Sequence, residues 1–401
     1  MEERFLETTR ELIAFLDKSP TAFQAVGGIS AMLDANGFTH LSEAEPWTLV
    51  PGGKYYVTRN QSAVIAFVIP EAYRRHFTIC ASHTDSPTFK LKANATGDSF
   101  GIYPKLNVEN YGGMIYDSWF DRPLSVAGRV IVREENRLRA VPVVIDRDLV
   151  LIPHVAIHQM RNINSGVTYN PATDLCPLFG EKDAKLTPYL AQAAGVAEEQ
   201  IVATDLYLYN RVPGTIWGDG DTFFSSARID NLQCAYATLR GFLAGTDPTK
   251  ARGIAVYSSF DNEETGSETR QGAGSPFLQD ALQAICDALG LRLSTMLAAS
   301  FMVSADNGHA RHPNHPELSD SANCPHLNGG VVIKANAAQK YATDGVSAAV
   351  FGEICKNAGV PTQVFHNRSD MPGGSTLGSI SNTKVALHTV DIGLPQLAMH
   401  S

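Results

Sequence analysis

Two kinds of sequence pattern succeed one another along this chain, and their order limits the fold more than any other feature. Helical and strand patterns alternate up to about Lys90 and again after Asp230, whereas residues 90–224 consist of short alternating apolar runs between turn residues. Helix and strand alternation predicts a sheet covered by helices, and short alternating runs predict a β-rich region. We therefore predict one α/β domain that is cut in two by a β-rich insertion. The predicted boundaries are 1–92 and 224–401 for the α/β domain and 93–223 for the insertion.

The individual elements of the α/β parts are predicted from hydrophobic periodicity. Helices are expected to about Lys18 and over 21–36, with strands near 54–58 and 63–68. An amphipathic helix is expected over 232–243. The chain has 401 residues, of which 44% are hydrophobic, and this is enough for the cores of two domains.

Two adjacent carboxylates, Glu263 and Glu264, follow a buried-strand pattern that ends at Phe260. Two charges at the end of a buried strand are costly unless a cation lies between them. One carboxylate can bind a metal ion while its neighbour takes a proton from metal-bound water, and metal-assisted hydrolysis requires this division of roles. The alternative is a solvated acidic turn, because carboxylates are mostly exposed.

The arrangement is repeated after a second apolar run, 77–82, which leads into His83 and, two residues later, Asp85. A metal-binding imidazole usually donates its other N–H to a carboxylate or carbonyl, and Asp85 is placed to accept it. A third run, 301–305, leads into Asp306. Taken alone, each such residue is more often a helix cap, a turn former or a hydrogen-bonded polar group than a ligand.

The joint placement of these residues favours the metal interpretation. The carboxyl ends of strands in an open α/β sheet line one crevice. Mixed His and carboxylate ligands suit zinc, with cobalt or manganese as substitutes. Five protein ligands are too many for one catalytic ion with an open position, so two ions bridged by a carboxylate fit better. The candidate ligands are His83, Asp230, Glu264, Asp306 and His400.

Long and unusual segments are spread along the whole chain: SPTAF, ASHTDSPTFKLK, YGG at 111–113, WFDR at 119–122, IPHVAIHQMRNIN, RIDN, FDNEETGSE, SADNGHARHPN and GLPQLAMHS. Together they resemble the aspartyl aminopeptidase family of cocatalytic zinc exopeptidases. The resemblance implies an α/β/α sandwich with a central mixed sheet, interrupted by a β-rich dimerisation domain. It also implies a homodimer that builds a tetrahedral dodecamer.

The resemblance also implies roles for individual residues. It implies two zinc ions per subunit, with Asp230 as the bridging ligand and Glu263 as the general base. The terminal ligands that it implies are His83, Asp306 and Glu264 or His400. These positions coincide with those selected from the strand-end pattern.

Three further residues receive roles from the resemblance. His158 is expected to reach into the active site of the neighbouring subunit, where it would place a donor beside the developing oxyanion. Lys334 follows the apolar run 331–333, and with Tyr341 it is expected to recognise an acidic side chain of the substrate by Coulomb attraction. The alternatives are a histidine with only structural hydrogen bonds and a solvated surface lysine.

These features predict a cytoplasmic metallo-aminopeptidase that removes the N-terminal residue of peptides and prefers Asp or Glu there. The formal net charge of -9 argues against nucleic acid or an anionic membrane as a partner. The six cysteines show no Cys-x-x-Cys spacing, which is typical of proteins in a reducing compartment. We recognise neither a signal peptide nor an apolar stretch long enough for a membrane span.

Two other functions are compatible with parts of the pattern. A two-metal N-acyl amino acid deacylase or a carboxypeptidase would use similar ions, but it would select a free carboxylate and tolerate a blocked amine. A non-catalytic, self-assembling shell or cargo protein could keep zinc for stability alone. Such a purely structural site would need neither Glu263 as a base nor an open coordination position.

Overall fold

The structure is a computed structural model that describes residues 3–72, 75–99 and 102–401. The chain divides into two compact units, each formed from separate stretches of sequence. Unit 1 comprises Met1–Gln24, Ser86–Arg228 and His400–Ser401, and unit 2 comprises Ala25–Asp85 and Ile229–Met399.

The helices lie close to the positions that the periodicity predicts. The first two begin and end within one residue of the expected bounds, and the helix expected over 232–243 begins three residues earlier. The helices are α1 (Glu3–Asp17), α2 (Ala22–Ala35), α3 (Thr187–Ala194), α4 (Ile229–Ala244), α5 (Phe277–Leu289), α6 (Leu293–Ala298), α7 (Gly345–Asn357) and α8 (Leu377–Ser381).

The apolar runs that precede His83, Glu263 and Asp306 each form a strand, as the sequence predicts. In chain order they are β1 (Thr39–His40), β2 (Lys54–Arg59), β3 (Ala63–Val68), β4 (Phe77–His83), β5 (Thr88–Ser99), β6 (Tyr103–Tyr111), β7 (Leu124–Glu134), β8 (Arg137–Val144), β9 (Ile201–Asn210), β10 (Thr215–Trp217), β11 (Phe223–Ser225), β12 (Ile254–Phe260), β13 (Phe301–Ala305), β14 (Gly308–His309), β15 (Val331–Lys334), β16 (Thr362–Phe365), β17 (His388–Gly393) and β18 (Pro395–Gln396).

Unit 2 is built on a nine-stranded mixed sheet with the order β1-β2-β3-β12-β4-β13-β17-β15-β16. Its four central neighbours, β12, β4, β13 and β17, are parallel, whereas β3 runs antiparallel to β12 and β15 runs antiparallel to β17. A short parallel pair, β14 and β18, lies outside this sheet. Strands that are buried on both faces are apolar at every position, as β3 is.

Helices cover both faces of this sheet. Side chains of a strand alternate between its two faces. In β12, Val256 packs into a hydrophobic cluster with Phe277 and Leu282 of α5, whereas the hydroxyl of the next residue, Tyr257, donates a hydrogen bond to the carbonyl of Ala235 in α4. The α/β/α sandwich with a central mixed sheet is therefore confirmed.

Unit 1 contains a five-stranded antiparallel sheet with the order β6-β5-β9-β7-β8. Its core includes Phe89, Leu124, Val126 and Leu208, which are buried. Two of the short apolar runs within residues 90–224, namely 128–132 and 141–145, lie in β7 and β8, except that β8 ends at Val144. Among the described residues, no helix is both long and apolar enough to cross a membrane.

Candidate metal centre

The candidate metal centre lies at the carboxyl ends of three neighbouring parallel strands of unit 2. His83 is the last residue of β4 and is in register with Phe260, the last residue of β12. Asp306 directly follows β13, which pairs with the other side of β4. The parallel arrangement brings these strand ends to one edge, as the sequence pattern predicts.

Glu263 and Glu264 lie in a short turn rather than at the end of the strand itself. The strand ends at Phe260, Asn262 adopts a left-handed conformation with φ 60 and ψ 27, and Glu263–Thr265 forms one turn of 3-10 helix. The two carboxylates are therefore not successive residues of the strand, whose side chains would alternate between its faces. They follow a left-handed residue and lie in a tight turn, and Asn is among the residues that tolerate this conformation best.

Asp85 connects this turn to His83. Its carboxylate accepts the backbone N–H groups of Glu263 and Glu264, each at 3.2 Å. Nδ1 of His83 lies 3.2 Å from Oδ1 of Asp85 and 3.1 Å from its carbonyl oxygen. A proton on Nδ1 donated to these oxygens leaves the lone pair of Nε2 available for a metal ion. The sequence predicted the contact with His83, but it carried no signal for the two bonds to the turn.

Nε2 of His83 faces a group of carboxylates. It lies 3.5 Å from Oδ1 of Asp306, 3.6 Å from Oδ1 of Asp230 and 3.9 Å from Oε2 of Glu263. One ligand atom each from His83, Asp230 and Glu264 can be chosen so that all lie within 4.8 Å of one another. His83 is 1% exposed, and Asp230 and Asp306 are each 8% exposed.

These donors fit zinc. One imidazole nitrogen and several carboxylate oxygens are the ligand types that zinc accepts in catalytic sites. Buried carboxylates need a cation or hydrogen-bond donors to offset the cost of removing them from water. The convergence of His83, Asp230, Glu264 and Asp306 therefore has the composition and burial expected of a metal centre.

The pKa values of the groups in the centre also indicate that its buried carboxylates lack a compensating positive charge. The pKa of Glu263 is raised to about 8, chiefly by burial. His83 opposes this rise, and the carboxylates of Asp306, Asp85 and Asp230 add to it. Burial likewise raises the pKa of Glu264 well above its ordinary value. Burial alone would lower the pKa of His83, but its hydrogen bonds with Asp230, Asp306 and Asp85 outweigh burial and raise it. A divalent cation at this position would favour the deprotonated forms of all these groups.

Asp230 is positioned by an irregular start of α4. Asp230 and Asn231 have non-helical backbone angles, and the peptide bond between them is cis. The side-chain amide of Asn231 donates to the carbonyl of Ala305 at 2.8 Å, and its oxygen accepts the N–H of Asn307 at 3.3 Å. Asn231 therefore ties the segment that carries Asp230 to the end of β13. Sequence reasoning missed this residue, although it lies in the RIDN segment.

Lys334 and Tyr341 lie next to each other and close to Asp306. Nζ of Lys334 donates to the carbonyl of Asn307 at 2.8 Å, lies 3.6 Å from Oδ2 of Asp306 and is 5.5 Å from the centroid of the Tyr341 ring. Burial lowers the pKa of Lys334, but Asp306 and other nearby groups outweigh burial and raise it. With 2% exposure, Lys334 is a buried ammonium rather than a solvated surface charge.

Two predicted site residues, His158 and His400, belong to unit 1, whereas the residues grouped around His83 belong to unit 2. His158 is exposed. His400 is partly buried, and its carbonyl accepts the N–H of Ile115 at 2.9 Å. Their roles as oxyanion donor and metal ligand stay predictions.

Comparison with known proteins gives a consistent result over almost the whole chain. Residues 15–401 match the family described as aminopeptidase I zinc metalloprotease (M18). The probable M18 family aminopeptidase 2 of Clostridium acetobutylicum is 44% identical over 409 residues, which cover 99% of this chain and 94% of the relative. The aspartyl aminopeptidase of Dictyostelium discoideum is 36% identical over 449 residues, which cover 100% of this chain and 93% of the relative.

A solved structure extends the likeness to three dimensions. The S. cerevisiae mApe1 dodecamer superposes with a TM-score of 0.88 at 27% identity, over 99% of this chain and 92% of that one. The α/β/α sandwich and the buried histidine and carboxylates at its parallel strand ends define a metal-dependent hydrolytic enzyme. The chain belongs to the M18 family of zinc aminopeptidases. The predicted family and the predicted class, a metallo-aminopeptidase, are confirmed.

Proposed function

We propose that this aminopeptidase removes acidic N-terminal residues, Asp or Glu, from peptides with a two-zinc centre and Glu263 as the general base. The observation that carries the proposal is the position of Asp85, whose carboxylate accepts hydrogen bonds both from His83 and from the turn that contains Glu263 and Glu264. One residue thereby fixes the orientation of a metal-binding imidazole and of the adjacent base. The name of the Dictyostelium discoideum relative supports the acidic preference.

The ligands in this proposal are shared between two ions. Asp230 would contribute its carboxylate to both ions, because its Oδ1 lies 3.6 Å from Nε2 of His83 and among the other candidate ligands. The charge of the centre supports two ions. When deprotonated, its carboxylates carry five negative charges against the single positive charge of Lys334, and two divalent cations would balance the difference. These carboxylates are Asp85, Asp230, Glu263, Glu264 and Asp306. The terminal ligands are His83, Glu264, Asp306 and His400.

Zinc, when bound, polarises the scissile carbonyl and lowers the pKa of water. Glu263 accepts the proton of the attacking water and transfers it to the leaving amine. A bound cation would favour the carboxylate form of Glu263, which is the form that can accept this proton. Asp85 keeps the proton of His83 on Nδ1, and through the backbone of the turn it keeps Glu263 beside the reacting atoms.

Lys334 and Tyr341 recognise the acidic side chain in this proposal. An ammonium has three donors. Nζ of Lys334 uses one of them for the carbonyl of Asn307 and lies 3.6 Å from Asp306, so it retains capacity for a substrate carboxylate. Burial strengthens its attraction for such a carboxylate, because charges interact more strongly where water is excluded.

Assembly completes the proposed site. The β-rich insertion serves as a dimerisation domain, and His158 of one subunit donates to the oxyanion that forms in its neighbour. Dimers build a tetrahedral dodecamer, and the dodecameric S. cerevisiae relative supports twelve copies. An enclosed assembly would restrict access to peptides rather than folded proteins.

The proposal is tested by a substrate profile. Release of a chromogenic amine from free and N-acetylated aminoacyl substrates is measured for all N-terminal residues, with chelator and after return of zinc, cobalt or manganese. We expect the fastest release from free Asp and Glu substrates and none in chelator. Release of acetate from N-acetyl amino acids that carry a free carboxylate, without release of the chromogenic amine from free aminoacyl substrates, would instead identify a deacylase. Metal analysis of the purified protein tests the number of ions separately.

A further inference from the structure

Tyr341 lies in the irregular segment 335–344 of unit 2, which joins β15 to α7. In such a segment, the backbone hydrogen bonds that a helix or a sheet would supply have to be supplied by other groups. Tyr341 is nevertheless only 6% exposed, and its ring lies 6.4 Å from that of Phe365 between centroids. The contacts that hold this segment therefore decide where the tyrosine lies relative to Lys334.

The backbone that follows Tyr341 is held by Asp391 of β17. The N–H of Ala342 donates to Oδ2 of the Asp391 carboxylate. The hydroxyl oxygen of Thr343 accepts the backbone N–H of Asp391 at 2.8 Å. Two consecutive residues of the segment are thus attached to one residue of the central sheet.

The residue before Tyr341 is linked to the same carboxylate through Thr376. The carbonyl of Lys340 accepts the N–H of Thr376 at 3.3 Å and the hydroxyl of Ser379 at 3.1 Å. The hydroxyl of Thr376 in turn donates to Oδ1 of Asp391 at 2.8 Å. The two oxygens of this carboxylate therefore fix the backbone on both sides of Tyr341, one directly and the other through Thr376.

Asp391 itself has a fixed place beside Lys334. Ile333 and Ile392 are in register in the antiparallel pair of β15 and β17, so Lys334 and Asp391 are the next residues along this pair. Residues at opposite positions of an antiparallel pair point to the same face of the sheet. Asp391 is 0% exposed, and a Cβ atom added at Gly378 would lie 2.5 Å from its Oδ1. The carboxylate is therefore enclosed, and its hydrogen bonds offset the cost of burying it.

We propose that Asp391 is a positioning residue for substrate selection, which holds Tyr341 beside Lys334 by fixing the backbone around the tyrosine. This inference rests on the proposed recognition of an acidic N-terminal residue by Lys334 and Tyr341. The ammonium of Lys334 lies 5.5 Å from the centroid of the Tyr341 ring, within the distance at which an aromatic ring attracts a cation. A shift of the segment would remove this attraction and change the direction in which the ammonium meets the substrate carboxylate. Asp391 is fully buried, so it acts through Tyr341 rather than by contact with the substrate.

The first test measures substrate selectivity in the metal-replete, full-length protein. Selectivity is the ratio of kcat/KM for release of a chromogenic amine from the Glu substrate to that from the Gln substrate, whose side chains match in shape and differ in charge. We expect Asp391→Ala to lower this ratio by about tenfold or more, the scale of one hydrogen bond to a charged group. Asp391→Asn should keep the ratio, because the amide oxygen can accept the N–H of Ala342 while the amide N–H donates to the hydroxyl of Thr376.

Thr389→Val is the matched control for the loss of a buried hydrogen bond. Thr389 lies in the same strand as Asp391 and is 2% exposed, and its hydroxyl donates to the side-chain oxygen of Asn382 at 3.0 Å. We expect this variant to have a lower Tm and an unchanged ratio. A purely structural role for Asp391 would make Asp391→Ala behave like this control, with Glu and Gln substrates affected alike.

The outcomes separate this inference from the proposed function. A ratio lost in Lys334→Met but normal in Asp391→Ala would reject the role of Asp391 and leave acidic recognition standing. An equal loss in Asp391→Asn and Asp391→Ala would also reject it, because the charge rather than the hydrogen bonds would then be responsible. A wild type that does not favour Glu over Gln would reject both the acidic preference and the inference built on it.

The second test leaves the buried carboxylate in place. Thr376→Val keeps the shape of the side chain but removes the hydroxyl that donates to Asp391, whereas Thr376→Ser keeps the hydroxyl. We expect Thr376→Val to lower the ratio of Glu to Gln substrates and Thr376→Ser to keep it, at equal zinc content by metal analysis. Equal ratios in the two variants would overturn the link between this carboxylate and the position of Tyr341.

Discussion

Two groups of acidic side chains, one in each unit of this protein, have their charges compensated in different ways. In unit 1, Asp205 pairs with Arg129 at 2.9 Å, and Arg211 pairs with Asp148 at 2.6 Å and Asp146 at 2.7 Å. In unit 2, the carboxylates that face Nε2 of His83 lie together at 3.5 to 3.9 Å from it. The same residue types are thus neutralised by arginine in one unit and, in the proposed function, by bound zinc in the other.

The comparison shows why the two sets of acids differ in function. An acid that pairs with arginine is satisfied within the chain, and a pair in contact with water contributes little to stability. Acids that converge without arginine are unfavourable until a cation arrives. In the proposed function, the arrangement of these acids serves to hold that cation. Four predictions break or sharpen this contrast.

The largest effect is expected from Asp230→Ala. In the proposed centre this change removes a ligand from both ions at once, so zinc content falls and turnover drops to the level of the metal-free protein. Metal analysis and turnover are measured together, with Asp306→Ala as the control that removes one terminal ligand and costs less. Two tightly held ions in purified Asp230→Ala would reject the bridging role.

A smaller effect is expected from Glu263→Gln. This change keeps the shape of the side chain but removes the base, so turnover falls by at least about 100-fold while both ions stay bound. Stopped assays on metal-replete protein measure the loss of turnover. Asp205→Asn, which replaces a carboxylate of unit 1 by the matching amide, is the control. Near-normal turnover of metal-replete Glu263→Gln would remove Glu263 from the mechanism.

The third prediction concerns pH. The pKa of Glu263 is raised from 4.5 to about 8 in the folded, metal-free protein. Deprotonation of Glu263 therefore costs more in the folded protein than in the unfolded chain. The free energy of unfolding keeps its full value with respect to this group below about pH 4.5 and falls as pH rises through about 8. The raised pKa of His83 has the same sign, because its stabilising effect is lost as pH rises above its ordinary value. Zinc removes this loss by stabilising the deprotonated ligands.

We accordingly expect the difference in Tm between zinc-loaded and chelated protein to widen from about pH 5 to about pH 8. Differential scanning calorimetry at several pH values measures it. Glu263→Gln is the control, since it removes one titrating group and should weaken the dependence. A difference that stays constant with pH would show that these groups do not titrate within the fold.

The smallest effect is expected in unit 1. Arg211→Ala removes an arginine whose two acidic partners are largely exposed, so the free energy of unfolding should fall by about 0 to 1 kcal/mol. Denaturant unfolding measures it, and Arg211→Lys tests how much depends on the paired geometry. A loss of zinc or of turnover in Arg211→Ala would contradict the contrast between the two units.

Much of the fold could be predicted from local sequence. Runs such as 77–82 and 301–305 are largely apolar because their strands lie at the centre of the sheet, and each is followed by a polar residue at the edge of the sheet. A sheet covered by helices and the convergence of His83 with Asp306 followed from this pattern, whereas the α/β/α sandwich with a mixed sheet was implied by the family resemblance.

The supporting residues could not be predicted in the same way. Asn231 links α4 to the end of β13 through hydrogen bonds that span more than 70 residues of sequence, and periodicity does not report such contacts. The turn at Glu263 depends on the left-handed conformation of Asn262, which an Asn permits without requiring it. A single lysine in a sequence is usually a surface charge, and the sequence carries no signal that Lys334 lies 3.6 Å from Asp306.

Asp85 carries a consequence for how this centre can change over evolutionary time. Its side chain holds both the imidazole of His83 and the backbone of the turn with Glu263 and Glu264. A mutation at this position would alter affinity for zinc and placement of the base together, so neither trait can be selected through Asp85 without moving the other. Adaptation to a different metal would therefore begin more readily at terminal ligands, where the affinity for the metal can change while the base stays in place.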